Sequence, residues 1–190
     1  ELLLASGGID DLPDSVRLLT QAGGKLVPEL VEKVHHSAEQ QNAQFFVMYG
    51  ATEATARMAY VPPDKLSEYP DCIGGPIPGG SFRLVDPETG EPAEDVGELA
   101  YRGPNVMMGY AETREDLARG DEVEELATGD LAEEVAPDIY RLTARKSRFL
   151  KLFGLRISLA KVEQEASRMG WTVVATGDDR RLVVAYEGDG

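Results

Sequence analysis

Apolar and polar positions fall into three successive textures along the chain, and each predicts a different kind of structure. In the first, residues 16–20 read as a short strand and a glycine turn follows at Gly23 and Gly24. An amphipathic helix then begins near Pro28, with proline in its first turn. Leu30, Val31 and Val34 share one face of that helix. "AQFFVMYG" (43–50) is a nearly continuous apolar run, the pattern of a strand buried on both faces. Strand, helix, strand in that order implies a parallel α/β layer over residues 1–70.

The second texture covers residues 71–146. "SFRLVD", "GELAYRG" and "IYRLTAR" are short segments separated by turns, and "DPETGEP" (86–92) is a hairpin turn with proline early and glycine late. They predict a small antiparallel β subdomain, interrupted by the acidic, helical or irregular surface segment "TREDLARGDEVEEL". The third texture begins near Ser147. "RFLKLFGLRISL" predicts two short strands around Gly154, and "AKVEQEASRMG" a helix closed by Gly170. "WTVVATG" and "RRLVVAYEG" predict two further strands, with Trp171 packed in this small α+β domain. The expected division is therefore 1–146 and 147–190.

Composition narrows the function classes. The chain has 190 residues, with 42% hydrophobic and 28% charged, as in ordinary globular domains. Nineteen Lys and Arg face 34 Asp and Glu, a formal net charge of -15, which argues against a nucleic-acid or anionic-membrane surface. A nucleotide pocket is still open to such a chain, because it needs only a few local cations and backbone N–H groups. No run approaches the roughly 20 apolar residues of a membrane span. Cys72 is the single cysteine, so no disulfide closes within the chain and a reducing, cytoplasmic setting fits; with no base beside it in "YPDCIGGPIPGG", it reads as a bystander. His35 and His36 point to different faces of the helix and read as surface residues. The chain opens on Glu1 and "ELLLA", which reads like the interior of a longer protein.

The candidate chemistry begins where the apolar run ends in "YGATE", setting a phenol, a hydroxyl and a carboxylate together. Activating a carboxylic acid with ATP requires positive charge on the phosphates. Mg²⁺ supplies it with one protein carboxylate and phosphate or water oxygens as ligands. Tyr49 and Gly50 could then line a nucleotide pocket, Thr52 bond the α-phosphate and Glu53 hold Mg²⁺. In "ATGD", Asp130 could accept the ribose hydroxyls, and Arg145 in "TARKSRFLK" could reach ribose or phosphate. Gly23 and Gly24 offer a bare backbone to a flat base or acyl chain. Taken singly, each stretch reads equally as a polar turn or a solvated face; the weight lies in their occurring in one order.

In that order the chain resembles the adenylate-forming superfamily: acyl-CoA synthetases, peptide-synthetase adenylation domains and luciferases. "LLTQAGGKLVPEL" is similar to the segment that contacts adenine and the acyl group, and "VMYGATEAT" to the Tyr-Gly-x-Thr-Glu motif. Residues 73–112, ending in "VMMGYAE", resemble the glycine-punctuated segment of the family, and "ATGDL" its Thr-Gly-Asp motif. "ARKSRFLKLFGLRISLAKVEQEA" resembles its hinge and the opening of its mobile C-terminal domain. The wording leans toward acyl-CoA synthetases and acyl-AMP ligases.

The resemblance implies an α/β adenylate-forming fold, incomplete at both ends, acting on ATP or AMP, Mg²⁺ and a carboxylic acid, with a fatty acid favoured. It implies CoA or phosphopantetheine, the latter on an acyl carrier protein, as thiol acceptor. Thr52 would contact the α-phosphate, Glu53 the Mg²⁺, and Asp130 with Arg145 the ribose. Ser147 would be the hinge, with Lys151 and Gly154 on the thiol-acceptor face; Lys151 also reads as a solvent-facing strand lysine. Ala144 stands where the family commonly has glycine, and Ala51 where it commonly has a polar residue. The phosphate loop and the C-terminal lysine of the family have no counterpart here. Losing one such contact raises a barrier by about 2.7–4 kcal/mol. The isolated chain is accordingly expected to be inactive, to expose apolar surface on its parallel layer, and to depend on a complementing N-terminal chain. Two other classes stay open: a non-catalytic relic or regulatory module that keeps the nucleotide-binding fold, and an α+β domain with coincidental turns.

Overall fold

A computed structural model describes residues 6–146, 149–152, 155–178 and 180–187. Two candidate residues, Ser147 and Gly154, lie outside the described residues, as does the side chain of Lys151. The chain divides into two compact units: Glu1–Thr128 with Ala132–Leu142, and Gly129–Leu131 with Thr143–Gly190.

The first unit contains a sheet of order β1-β2-β3-β4. Its strands are β1 (Leu18–Gln21), β2 (Gln44–Tyr49), β3 (Ala59–Val61) and β4 (Gly75–Pro76). β1 begins two residues later than the sequence pattern predicts, because a turn joining the Val16 N–H to the Pro13 carbonyl (2.8 Å) takes up residues 13–16. β1 and β2 pair in parallel, Leu18 opposite Gln44, and the helix α1 (Pro28–Gln40) makes the crossover between them. Proline at the helix start tolerates the missing N–H there, and Val31, Val34, His35 and Ala38 follow at helical spacing on the buried face. They meet Phe45 and Val47 of β2, with Val61, Leu66, Cys72 and Ile139 completing the core.

Two expectations change here. β2 is buried on one face only: Phe45 and Val47 are buried, whereas Gln44, Phe46 and Met48 are exposed or half-exposed on the other side. The cause is that β2 has α1 over one face, while on the other Phe46 stays half-buried beside the tilted ring of Tyr60, 5.8 Å away. His35 is not a surface residue. It is 6% exposed, because its position continues the 31, 34, 38 stripe, and its Nε2 lies 3.6 Å from Glu39; His36 is exposed.

The second sheet has the order β5-β6-β7-β8: β5 (Ser81–Val85), β6 (Val96–Arg102), β7 (Leu126–Ala136) and β8 (Ile139–Arg145). β5 and β6 are antiparallel around the predicted hairpin turn. There Asp86 Oδ1 accepts the Glu88 and Thr89 N–H groups and Gly90 takes φ +76°. Residues 127–130, which by composition alone suit a turn, instead lie inside β7, with left-handed Gly129 (φ +73°) within the strand. The acidic segment before β7 holds one short 3-10 turn, Glu115–Ala118. Phe82 joins the layers: its ring meets Tyr49, Tyr101 and Tyr140 edge-on at 6.5, 5.4 and 5.3 Å. Arg141 of β8 pins the 70–73 segment through Asp71 (2.7 Å) and also pairs with Glu133 (3.1 Å). Burial opposes ionisation of Asp71, but the Arg141 hydrogen bond and charge outweigh it and hold the carboxyl below its ordinary value.

The second unit contains two antiparallel pairs, β9 (Phe149–Leu152) with β10 (Leu155–Ser158) and β11 (Val173–Asp178) with β12 (Arg181–Tyr186). Between them lies α2 (Leu159–Arg168), capped by Ser158, whose Oγ accepts the Lys161 N–H. Leu150, Leu159 and Ala175 form its core, with Leu152, Val162 and Leu182 against them. Trp171 is not packed inside. It is 53% exposed and meets Tyr186 edge-on at 5.6 Å; left-handed Gly170 (φ +85°) turns the chain out of the helix just before it.

Cys72 is buried, and burial together with the adjacent Asp71 carboxylate pushes its thiol up to about 11. At pH 8 the folded chain should therefore react with a thiol reagent only as fast as it unfolds, and completely in denaturant. Rapid labelling of the native chain, followed by absorbance, would contradict this burial.

Candidate functional site

The candidate residues fall in both units, and each group is described within its own. In the first unit the stretch after β2 folds back on itself. Gly50 and Ala51 lead into a 3-10 turn, Thr52–Ala54, after which Thr55 and Ala56 both adopt left-handed backbone (φ 55° and 62°). Two non-glycine residues in that region cost about 1–2 kcal/mol each, so surrounding contacts must hold the turn. The Ala56 N–H reaches the Ala51 carbonyl (2.9 Å) and the Met58 N–H the Tyr49 carbonyl (2.8 Å), closing it as a loop. Ala54 is fully buried beside Met58, Tyr101 and Leu126 and anchors it from below. Thr52 is left exposed and Glu53 half-exposed at its tip.

Gly50 is explained by packing. A Cβ there would lie 2.5 Å from the carbonyl carbon and oxygen of Ala56 and 2.7 Å from the Arg57 nitrogen. The backbone crosses so closely that no side chain fits. Tyr49 is half-buried and packs its ring against Phe82, so it supports the turn from the strand side.

A second stretch, residues 103–110, braces this turn, and sequence reasoning gave it no site role. The Asn105 amide donates to the carbonyls of Ala54 (2.8 Å) and Arg57 (2.9 Å), while its Oδ1 accepts from the Tyr101 hydroxyl (2.8 Å). The Met107 N–H donates to the Glu53 carbonyl at 2.7 Å. The Tyr110 hydroxyl donates to Glu53 Oε1 at 2.5 Å. That bond, then partial burial and the Glu53 charge, raises the phenol above its ordinary value. Gly23 and Gly24 follow β1: Gly23 has φ +88°, and a Cβ at either glycine would meet nothing within 4 Å. The Gln21 side chain donates to the Gly24 carbonyl.

In the second unit Asp130 and Arg145 come together. Asp130 is 4% exposed, and its Oδ1 accepts from Arg145 Nε at 2.7 Å. The guanidinium thus gives the buried carboxyl a hydrogen-bond donor. Most of the Arg145 side chain stays in solvent, and Thr143 bonds the Leu131 carbonyl (3.2 Å) to keep the two strands together there. Lys151 lies in β9 opposite Arg156. Among the described residues no three His, Cys, Asp or Glu gather as a metal cage. A half-exposed carboxylate such as that of Glu53 instead suits a Mg²⁺ that arrives with phosphate oxygens. No described helix is long and apolar enough to cross a membrane.

A sequence profile of the family described as AMP-binding enzyme matches residues 1–111, more than half of the chain. The chain belongs to the AMP-binding enzyme family. Within that family it is 31% identical over 164 residues to medium-chain fatty-acid–CoA ligase of Escherichia coli, covering 83% of this chain and 28% of that protein. It is 32% identical to 4-coumarate–CoA ligase 1 of Glycine max, over 55% of this chain and 37% of that one. The chain thus spans well under half of these AMP-binding relatives. Its fold superposes on o-succinylbenzoate CoA synthetase of Bacillus subtilis with a TM-score of 0.72 at 21% identity, covering 97% of this chain and 39% of that one. It superposes on an amide bond synthetase of Marinactinospora thermotolerans at 0.67 and 24% identity, over 88% and 35%. The mixed α/β architecture is therefore part of the adenylate-forming enzyme fold.

Replacing Gly50 by alanine should cost about 1–3 kcal/mol, the range for forced overpacking, whereas Gly24→Ala should stay within about 0.5 kcal/mol. Urea unfolding of both variants checks this. Equal stabilities would contradict the close backbone crossing.

Proposed function

We propose that this chain is the central part of an AMP-forming acyl-CoA synthetase or acyl-AMP ligase. The observation that carries the reading is the order in which one AMP-binding chain presents its groups: a braced Thr52–Glu53 turn, then a buried, cation-paired Asp130. In the first partial reaction a carboxylate oxygen of the acid attacks the α-phosphorus of ATP, and the bond to pyrophosphate breaks. In the second, a thiol sulfur attacks the acyl carbon of the adenylate and AMP leaves.

Thr52 donates its hydroxyl to an α-phosphate oxygen, and the turn holds that hydroxyl where the phosphate is to sit. Glu53 is the protein ligand for Mg²⁺, which supplies charge neutralisation on the phosphates when bound. Asp130 accepts the ribose hydroxyls, and Arg145 orients that carboxylate through the 2.7 Å contact while its exposed guanidinium reaches ribose or phosphate. Tyr49 and Gly50 border the nucleotide, and Gly23 and Gly24 leave room for the base or acyl chain. Ser147 is the proposed hinge between domains 1–146 and 147–190, and Lys151 and Gly154 face the thiol acceptor, CoA or a carrier-protein phosphopantetheine. A fatty acid is the favoured substrate. The E. coli relative named for medium-chain fatty acids, matched over 83% of the chain, supports it.

Calorimetric titration of the chain with ATP and Mg²⁺ should show binding that Asp130→Ala weakens at least about tenfold, the effect of losing hydrogen bonds to a charged group. Glu53→Gln should remove the Mg²⁺ dependence and leave metal-free affinity intact. A folded chain that binds no nucleotide, or an Asp130→Ala variant that binds like the parent, would contradict the reading.

A further inference from the structure

The most specific contact that this reading leaves without a role is the one from Tyr110 to Glu53. The two residues lie 57 positions apart, and Tyr110 is 70% exposed, so core packing does not explain the contact. Yet the phenol donates to Oε1 at 2.5 Å while the same loop holds the Glu53 backbone through the Met107 N–H at 2.7 Å. Asn105 ties that loop to the carbonyls on either side of the left-handed pair, Ala54 and Arg57. Both the main chain and the carboxylate of Glu53 are therefore gripped from one segment, residues 103–110.

We propose that Tyr110 is a positioning residue for the metal-binding carboxylate. Resting on the proposed role of Glu53, it sets the rotamer of that side chain before the metal–nucleotide arrives. A carboxylate on an exposed turn otherwise samples several rotamers, and a metal ligand that is already oriented loses less freedom on binding. The phenol touches neither nucleotide nor metal in this account and acts through Glu53 alone. Such outer hydrogen-bond partners typically change metal affinity by roughly 10–100-fold, and the exposure of Tyr110 places its effect near the lower end.

The test uses the 190-residue chain and reads the dependence of ATP affinity on Mg²⁺ concentration by calorimetry. Tyr110→Phe removes only the hydroxyl from an exposed ring. It should leave metal-free ATP affinity unchanged and raise the Mg²⁺ concentration for half-effect about tenfold. In a Glu53→Gln background the same substitution should do nothing further, as expected of two residues in one interaction. A second readout needs no ligand: with ¹³Cζ-labelled tyrosine, the Tyr110 resonance of the metal-free chain should shift on Glu53→Gln. A Tyr110→Phe variant with unchanged Mg²⁺ dependence would overturn the proposal, as would an effect that persists without the Glu53 carboxylate or an unmoved Tyr110 resonance. Absence of Mg²⁺-dependent ATP binding in the unsubstituted chain would instead strike the proposed function, and this inference with it.

Discussion

The close crossing of backbone at Gly50 is the constraint on which the rest of the candidate site depends. β2 ends at Tyr49, and over the nine residues 50–58 the chain must reverse to become β3 at Ala59. It does so by laying the Ala56–Arg57 peptide directly over Gly50, with two left-handed residues absorbing the reversal. Such strain persists only where the surroundings over-determine it. Here they do: Ala54 is buried beneath, Tyr49 is wedged against Phe82, and Asn105 clamps two carbonyls from outside. The reward is geometric. A hydroxyl and a carboxylate on adjacent residues project from a fixed point at the end of a sheet strand.

Electrostatics explains why fixity matters in this particular chain. At net charge -15 its long-range field repels ATP, itself a polyanion. Under the proposed function, affinity comes from local groups placed well enough to outweigh that field: backbone N–H groups, hydroxyls, a guanidinium and a metal carried by one carboxylate. Asp130 follows the same logic from the other direction. Its carboxyl is buried, and the Arg145 contact at 2.7 Å fixes the orientation of that acceptor. Much of the remaining charge is committed to structure, as in the Arg83 and Arg102 side chains that share Glu125.

Much of this was legible in the sequence, and the failures have identifiable causes. The α1 helix, the β5–β6 hairpin and the four strands of the C-terminal unit follow from periodicity, proline and glycine placement, which are local signals. β3 and β4 were missed because three- and two-residue strands carry no period, and their pairing is decided by β2. β7 was missed because a left-handed glycine interrupts an eleven-residue strand. His35 was misplaced because its residue type outweighed its position on the apolar stripe. The "YGATE" turn was recognised as chemistry-bearing, but the packing role of Gly50 was not, since it arises from a crossing six residues away. Tyr110 lies beyond any pattern: its contact spans 57 residues, and only the fold brings it to Glu53.

The central claim is that the Thr52–Glu53 turn receives the metal end of a nucleotide. The most direct measurement replaces Mg²⁺ by paramagnetic Mn²⁺ and follows the amide resonances of the chain in the presence of ATP. The account predicts that the amides of Thr52, Glu53 and Tyr110 broaden among the earliest as Mn²⁺ is added, and that Glu53→Gln abolishes this. Broadening centred on the acidic 113–125 segment, with the Thr52 and Glu53 amides unaffected, would contradict it.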